Sequence, residues 1–242
     1  MGGKIGPNII TEGLVFAIDA ANPKCYNFNN GTCVDLIGGR VGNIAGDTNR
    51  NSNFNGGWEF DNVDDFISFN DSDFANPEST SFTCNIFVEQ DNVGFSQNVY
   101  VSKGNVGSAN QGWSMTYNNV LSGNTVHVRC NGNNTSSQRA SQSLAHQINK
   151  ISMITMVINR DTESITGYID GENDGWYDGG NGPTDNLITG FAPITSTSNF
   201  KIGTRADGAV DFGGKMFSVQ IYNRALSHEE IKRNYNAIKS RF

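Results

Sequence analysis

The stretch Gly214-Lys-Met-Phe-Ser-Val-Gln-Ile-Tyr-Asn-Arg-Ala-Leu-Ser-His-Glu-Glu-Ile231 reads as one buried β-strand running directly into a capped C-terminal helix. Ser227 stands three residues before Glu230. At that spacing the hydroxyl accepts from the N3 amide while the carboxylate reaches back to the cap's own N–H. Leu226 before the cap and Ile231 at the fourth helical position are placed to close as a hydrophobic staple, and Ile231, Tyr235 and Ile238 recur at i, i+4 and i+7. Glu229 and Glu230 in the first turn, with Lys232, Arg233 and Lys239 beyond, follow the order that the helix dipole favours. The spacing predicts a short amphipathic helix over 228–239.

Upstream, the pattern is that of strands. Residues 13–19 form the first convincing one after an extended arm over 1–12, and the next fall at 57–61 and 65–69. Phe82, Cys84, Ile86 and Val88 alternate with Ser81, Thr83, Asn85 and Phe87, which puts one face on a core. Trp113, Met115 and Tyr117, and again Val126, Val128 and Cys130, repeat the alternation and predict half-buried strands. Residues 151–159 are nearly all apolar, so this strand is expected inside a sheet with both faces covered. A return strand at 164–169 and strands at 199–204 and 215–222 complete the set, whereas 21–57 is rich in Asn and Gly and weakly patterned. Regular turn signals between so many strands predict an all-β fold, a two-sheet antiparallel jelly-roll sandwich closed by the C-terminal helix, with one domain over 13–242.

A net charge of −7 and a pI near 4.9 argue against nucleic acid or an anionic membrane as the main partner, because phosphate binding needs clustered Lys and Arg. Residues 214–242 carry six Lys and Arg against two acidic residues, so the basic charge gathers at that end. The opening Met1-Gly-Gly-Lys-Ile-Gly-Pro7 has no signal-peptide apolar core, and no export route is expected. Cys84 and Cys130 fall on core parity. Cys25 and Cys33 share a loop and could pair under oxidation.

Several segments resemble the concanavalin A-like, laminin-G-like jelly-roll modules: Gly13-Leu-Val-Phe-Ala-Ile-Asp-Ala-Ala-Asn22, Trp58-Glu-Phe-Asp-Asn-Val-Asp-Asp-Phe-Ile67, Ser81-Phe-Thr83, Tyr168-Ile-Asp-Gly171 and Ile221-Tyr-Asn-Arg-Ala-Leu-Ser-His-Glu-Glu-Ile231. The likeness spans 13–236. It is closest to modules in structural proteins of tailed bacteriophages of marine bacteria, where Gly6-Pro7-Asn8-Ile-Ile10 also recurs. The chain departs from the pattern at Ile151-Ser-Met-Ile-Thr-Met156, where such modules carry Trp-x-x-Val-Ala, and keeps only Val34-Asp35-Leu36 of the usual loop wording. The resemblance implies a non-enzymatic virion structural protein, a capsid decoration or fibre module present as a homo-oligomer or in repeated copies on the particle surface after assembly in the host cytoplasm. Its partners would be other virion proteins and host-surface glycan, and the arm 1–12 would anchor it. The alternative is a lectin or adhesin domain, calcium-dependent in some relatives. A third reading is a laminarinase-type hydrolase, because Glu59-Phe-Asp61-Asn-Val-Asp64 is similar to the Glu-x-Asp-x-x-Glu of those enzymes. Asp64, however, stands in a turn where the acid/base Glu belongs.

No complete catalytic set is present, and no cofactor is called for beyond calcium. The loop 174–183 sets Trp176 and Tyr177 between Asp174 and Asp178, and exposed rings there would stack on a sugar or anchor a partner. Asp71 and Asp73 are the calcium candidates, with Asp64 and Asp65 a second oxygen cluster that Asx turns explain as well. Asp170, Glu172 and Asp174 imitate the start of an EF-hand loop, but position 12 is Asn181 and the bland reading is a hairpin end.

Overall fold

The computed structural model describes residues 8–27, 31–51, 56–70, 73–91, 97–104, 111–118, 125–132, 139–145, 147–173 and 191–241. Among them the chain forms β1 (Leu14–Asp19), β2 (Tyr26–Asn27), β3 (Thr32–Val34), β4 (Val41–Ala45), β5 (Asn49–Asn51), β6 (Gly57–Asp61), β7 (Phe66–Phe69) and β8 (Phe82–Gln90). There follow β9 (Gln97–Lys103), β10 (Gly112–Asn118), β11 (Thr125–Asn131), β12 (Arg139–Ala145), β13 (Ile151–Asn159), β14 (Ser164–Ile169), β15 (Phe200–Ile202), β16 (Gly213–Tyr222) and the helix α1 (His228–Ile238).

These strands build the expected sandwich. One sheet has the order β14-β13-β8-β16-β6-β5, with β1 also on β16, and the other the order β12-β11-β10-β9-β15-β7-β4-β3-β2. All the pairings are antiparallel. β16 pairs with β8 along nearly its whole length, while on its other side β6 lies against its first half and β1 against its second. The register slips between Met216 and Ser218. This bulge changes the strand's phase, so Met216, Val219 and Ile221 all reach the core between the sheets although their numbers do not share one parity.

The core joins Phe82, Cys84, Ile86 and Val88 of β8 and Ile154, Met156 and Ile158 of β13 to Trp113, Met115 and Tyr117 of β10 and Val126, Val128 and Cys130 of β11. Phe16 and Phe69 meet edge to face at 4.9 Å, and Phe16 stacks on Phe74 at 4.7 Å. Trp113 buries its ring here and donates its indole N–H to the Ala75 carbonyl at 2.7 Å, so its one polar atom is satisfied. Ser114, Thr125 and His127 on the opposite parity of β10 and β11 are buried as well, with Thr125 and His127 hydrogen-bonded at 3.1 Å. Those strands are therefore more enclosed than alternation alone predicts.

Residues 21–57 hold four short strands that composition does not reveal. Cys25 and Cys33 sit on a small hairpin there as free, fully buried thiols with sulfurs 3.4 Å apart. The Asp35 carboxylate accepts from the amides of Ala17, Ile37 and Gly38 and pairs with Arg40, tying this region to β1.

The capping box forms as read: Glu230 N–H donates to the Ser227 hydroxyl at 3.3 Å and Ser227 N–H to the Glu230 carboxylate at 2.9 Å. The Arg224 guanidinium adds a two-pronged pair to that carboxylate and holds it below the usual range. α1 lies on the outer face of the seven-stranded sheet, where Leu226, Ile231 and Ile238 pack with Phe87, Met153, Val157, Phe217 and Tyr222. That is why the second face of β8 is buried too.

Residues 8–12 are part of this layer. Ile9 and Ile10 pack against the same cluster, Ile10 N–H donates to the Asn234 side chain at 2.7 Å, and the Tyr222 hydroxyl donates to the Ile10 carbonyl at 3.0 Å. Asn234, fully buried in α1, also donates to the Tyr222 oxygen at 3.1 Å. Burial pushes the Tyr222 phenol up to about 12. Residues 1–7 of the arm lie outside the described residues.

Two outcomes follow. Asn234→Ala strands the Ile10 amide and is expected to cost about 1–3 kcal/mol in denaturant unfolding while speeding hydrogen exchange over 8–12. Desolvation, helped by Arg129, lowers His127 to about 4. An unfolded histidine near 6.5 takes up a proton first, so stability is full above that pH and falls by roughly 3 kcal/mol towards pH 4. Guanidinium titrations at pH 7 and 4.5 would show this loss, reduced in His127→Gln.

Candidate functional site

The outer face of the seven-stranded sheet is divided. α1 and residues 8–12 cover one half with apolar side chains, and a polar row crosses the other. The row follows from register: Asn49 opposes Glu59, Glu59 opposes Lys215, Lys215 opposes Glu89, and Glu89 opposes Ile151. Since Trp58, Phe60, Met216 and Val88 point inward, Glu59, Lys215 and Glu89 must point outward. Four strand intervals set the length of this row at about 19 Å.

Two depressions lie along it. One, of about 460 Å³, is lined by Phe87, Glu89, Asn149, Lys150, Ile151, Tyr235 and Lys239, where the end of α1 meets the sheet. Its rings are Phe87 and Tyr235, with Lys239 over the Tyr235 face at 4.9 Å. The other, of about 280 Å³, is bordered by Asp47, Asn49, Glu59, Asp61, Asp65, Asp91 and Lys215. They meet at the Lys215–Glu89 ion pair, 3.4 Å. Together they make a trough with an aromatic wall at one end and a carboxylate-rich floor at the other.

The acidic end exists because two sheet crossings lie side by side. β4 belongs to one sheet and β5 to the other, and β6 and β7 are divided in the same way. The links 46–48 and 62–65 therefore turn over the same rim of the sandwich. Asn62 turns with φ +66, Val63 N–H donates to Asp61 Oδ1 at 2.8 Å, and Asp61 N–H donates to Asp65 Oδ2 at 2.9 Å. Asp65 is only 2% exposed, and burial raises its carboxyl, with the charges of Asp61 and Asp47 adding to the effect.

Of the residues singled out in the sequence, Trp176, Tyr177, Asp174, Asp178 and Asp71 lie outside the described residues. Asp73 is exposed and opens a 3-10 turn over Asp73–Ala75 whose Phe74 and Ala75 pack into the core. The EF-hand-like start is a hairpin end. Asp170 accepts from Met153 N–H at 2.9 Å and pairs with Lys150, and Glu172 pairs with Lys232 and His228. Glu59 and Asp61 do share the outer face of β6, but Glu59 accepts from the Asn51 amide at 2.6 Å. The acidic cluster that forms is Asp47, Asp61 and Asp65, whose oxygens lie within 4.8 Å of one another. Sequence reading missed Asp47, Lys215 and Tyr235 as site residues. The only sequence signal for them was the outward parity of β16 and the i+4 place of Tyr235 in α1.

A family model described as the concanavalin A-like lectin/glucanases superfamily matches residues 60–232, more than half of the chain. The chain belongs to that superfamily. Solved structures similar to this superfamily member include the Trypanosoma rangeli sialidase in complex with the inhibitor DANA. That match has a TM-score of 0.67 at 15% identity and covers 97% of this chain and 35% of the sialidase. The receptor-binding domain of botulinum neurotoxin C/D mosaic serotype gives a TM-score of 0.67 at 14% identity, covering 93% and 51%. The botulinum neurotoxin DC binding domain in complex with SialylT gives 0.66 at 14%, covering 93% and 51%. This chain thus spans about half or less of those chains, and the likeness at such identity is one of fold. A search of curated proteins finds no match.

Proposed function

We propose that this superfamily member is a non-enzymatic contact module that binds glycan along the outer-face trough and is displayed in repeated copies on the surface of a bacteriophage particle. The observation that carries glycan binding is the trough itself. Carboxylates, amides and lysines spaced about 4.8 Å apart across the strands suit the hydroxyls of a sugar chain, and the Tyr235 ring offers an apolar face. Proteins that contain a similar fold over about a third to a half of their length are found in complex with DANA or SialylT, which supports this choice of ligand class.

The non-enzymatic reading rests on how the carboxylates are used. Retaining hydrolysis needs one carboxylate free to attack and a protonated partner about 5–5.5 Å away. Glu59 is held by Asn51, Glu89 by Lys215, and Asp61 caps its own turn. Asp65, the most buried acid of the trough, faces two further carboxylates that are themselves unprotected by any pairing lysine or arginine among the described residues. Placement on a virion, with other virion proteins as partners, rests on the sequence resemblance, including Asn8-Ile-Ile10, which the fold seats against α1.

On a glycan array the folded protein is expected to bind a restricted set of oligosaccharides without turning them over. Tyr235→Ala and Glu59→Gln should each weaken binding about tenfold, the worth of one contact of about 1.4 kcal/mol, with melting temperatures changed by only a few degrees. A blank array with folded protein overturns the binding reading, and released sugar overturns the non-enzymatic one. Mass spectrometry of purified phage particles lacking this chain overturns the virion reading separately.

A further inference from the structure

Two of the four cysteines, Cys25 and Cys33, play no part in the trough. Both side chains are fully buried in the core, and their sulfurs lie 3.4 Å apart. That is about 1.4 Å beyond the length of a sulfur–sulfur bond, a gap that rotation of two side chains closes. The backbone is already in place. Cys33 stands opposite Tyr26, next in the chain to Cys25, and Val34 N–H donates to the Cys25 carbonyl at 2.7 Å. Residues so placed on adjacent antiparallel strands fall within the Cα spacing that a disulfide spans.

Two further contacts hold Cys25. Its own N–H donates to the Asn22 carbonyl at 2.9 Å, and the Asp19 amide, at the end of β1, donates to its sulfur at 3.4 Å. The Cys33 thiol donates to the same sulfur, which together with the Asp19 amide holds Cys25 below the usual thiol range, whereas burial raises Cys33. The pair is unequal, with Cys25 placed to attack and Cys33 to resolve. Cys84 lacks this setting, and burial in the apolar core raises its thiol far above the ordinary value.

The hairpin that carries both thiols is the open edge of the nine-stranded sheet. β2 has two residues and β3 three, and β2 ends the strand order. So short an edge opens locally at little cost, and that opening admits an oxidant to thiols that the folded state closes off.

We infer that Cys25 and Cys33 form a redox latch, open as free thiols and closed by a disulfide-class oxidant such as glutathione disulfide. The Cys25 thiolate attacks one sulfur of the oxidant, forming a mixed disulfide and releasing one glutathione thiolate. The Cys33 thiol then loses its proton and attacks the Cys25 sulfur, releasing the second. Two protein thiols are oxidised, one glutathione disulfide is reduced to two thiols, and the two protons pass to these. The new bond closes a loop over 25–33, fastens β2 to β3 and secures that edge to β1 through the Asp19 amide. The hairpin belongs to one sheet and the trough to the other, so the latch is independent of glycan binding.

The full chain is incubated folded with excess glutathione disulfide, quenched with acid, unfolded, alkylated with N-ethylmaleimide and digested with trypsin. Cys25 and Cys33 fall in one tryptic peptide, residues 25–40. That peptide is expected to lose two hydrogens and take no alkyl group, whereas Cys84 and Cys130 are alkylated. The oxidised protein should melt about 5 °C higher than the reduced one, with slower hydrogen exchange over 25–34, and dithiothreitol should reverse both. Cys33→Ala should show no oxidant-dependent shift. Alkylation of both cysteines after prolonged oxidation overturns the inference, and so does a glutathione adduct that is never resolved. A disulfide that leaves melting and exchange unchanged overturns its role as a latch. A shift that persists in Cys33→Ala belongs to other thiols and overturns the latch as well.

Discussion

Burial of β16 on both faces is the constraint on which the rest of the structure depends. Its inner face closes the core between the sheets, and its outer face, through Phe217 and Tyr222, seats the helix. The bulge beyond Met216 shifts the strand's phase, so Val219 and Ile221 join Met216 in the core while Phe217 and Tyr222 both face the helix. Apolar surface is then removed from water on both sides of the sheet, which a plain two-layer sandwich does not achieve. The polar groups left beneath the helix are satisfied in a chain. Thr155 donates to Asn85, Asn85 to Gln220, and Tyr222 and Asn234 link this row to the segment 8–12. Such a network in a low-dielectric layer makes the N-terminal segment, the last strand and the helix cooperative.

The site is a consequence of where that cover stops. α1 is 11 residues long and cannot span the whole sheet, so the half nearer β5 and β6 keeps its outward residues in water. There the register lines up Asn49, Glu59, Lys215 and Glu89, with Tyr235 and Lys239 leaning in from the helix. On the reading proposed above, this surface of alternating charge with its aromatic wall is where a polar polymer lies. Each carboxylate in the row already has a structural partner, which blunts its reactivity and fixes its direction.

The resemblance read from the sequence and the fold agree over the elements that carry it. Trp58–Ile67 is the clearest case, because its Asp-rich middle is not a strand interruption but a turn from one sheet to the other, held by Asp65 on the Asp61 amide. The same residues that resembled half of a hydrolase motif are thus explained by a crossing, with Asp64 in the turn. The loop 174–183, chosen for its aromatics, lies outside the described residues, whereas the rings that line the trough are Phe87 and Tyr235, which strand alternation and helical spacing did not mark as site residues.

What the sequence determined by itself is local and periodic. The capping box at Ser227 and Glu230, the staple at Leu226 and Ile231, and the bounds of β6, β13 and β14 follow from hydrogen-bond geometry and side-chain alternation within a few residues. Only the tertiary structure decided which half of the sheet the helix covers, that Asn234 reaches Ile10 across 224 positions, and that Asp47 joins Asp61 and Asp65. The short strands β2–β5 also escaped composition, since strands of two to five residues in an Asn- and Gly-rich stretch carry too little pattern to be marked until a partner supplies the other half of the ladder. Those contacts join residues whose separation along the chain holds no periodic signal, and they form only when the two sheets pack and their crossings share one rim.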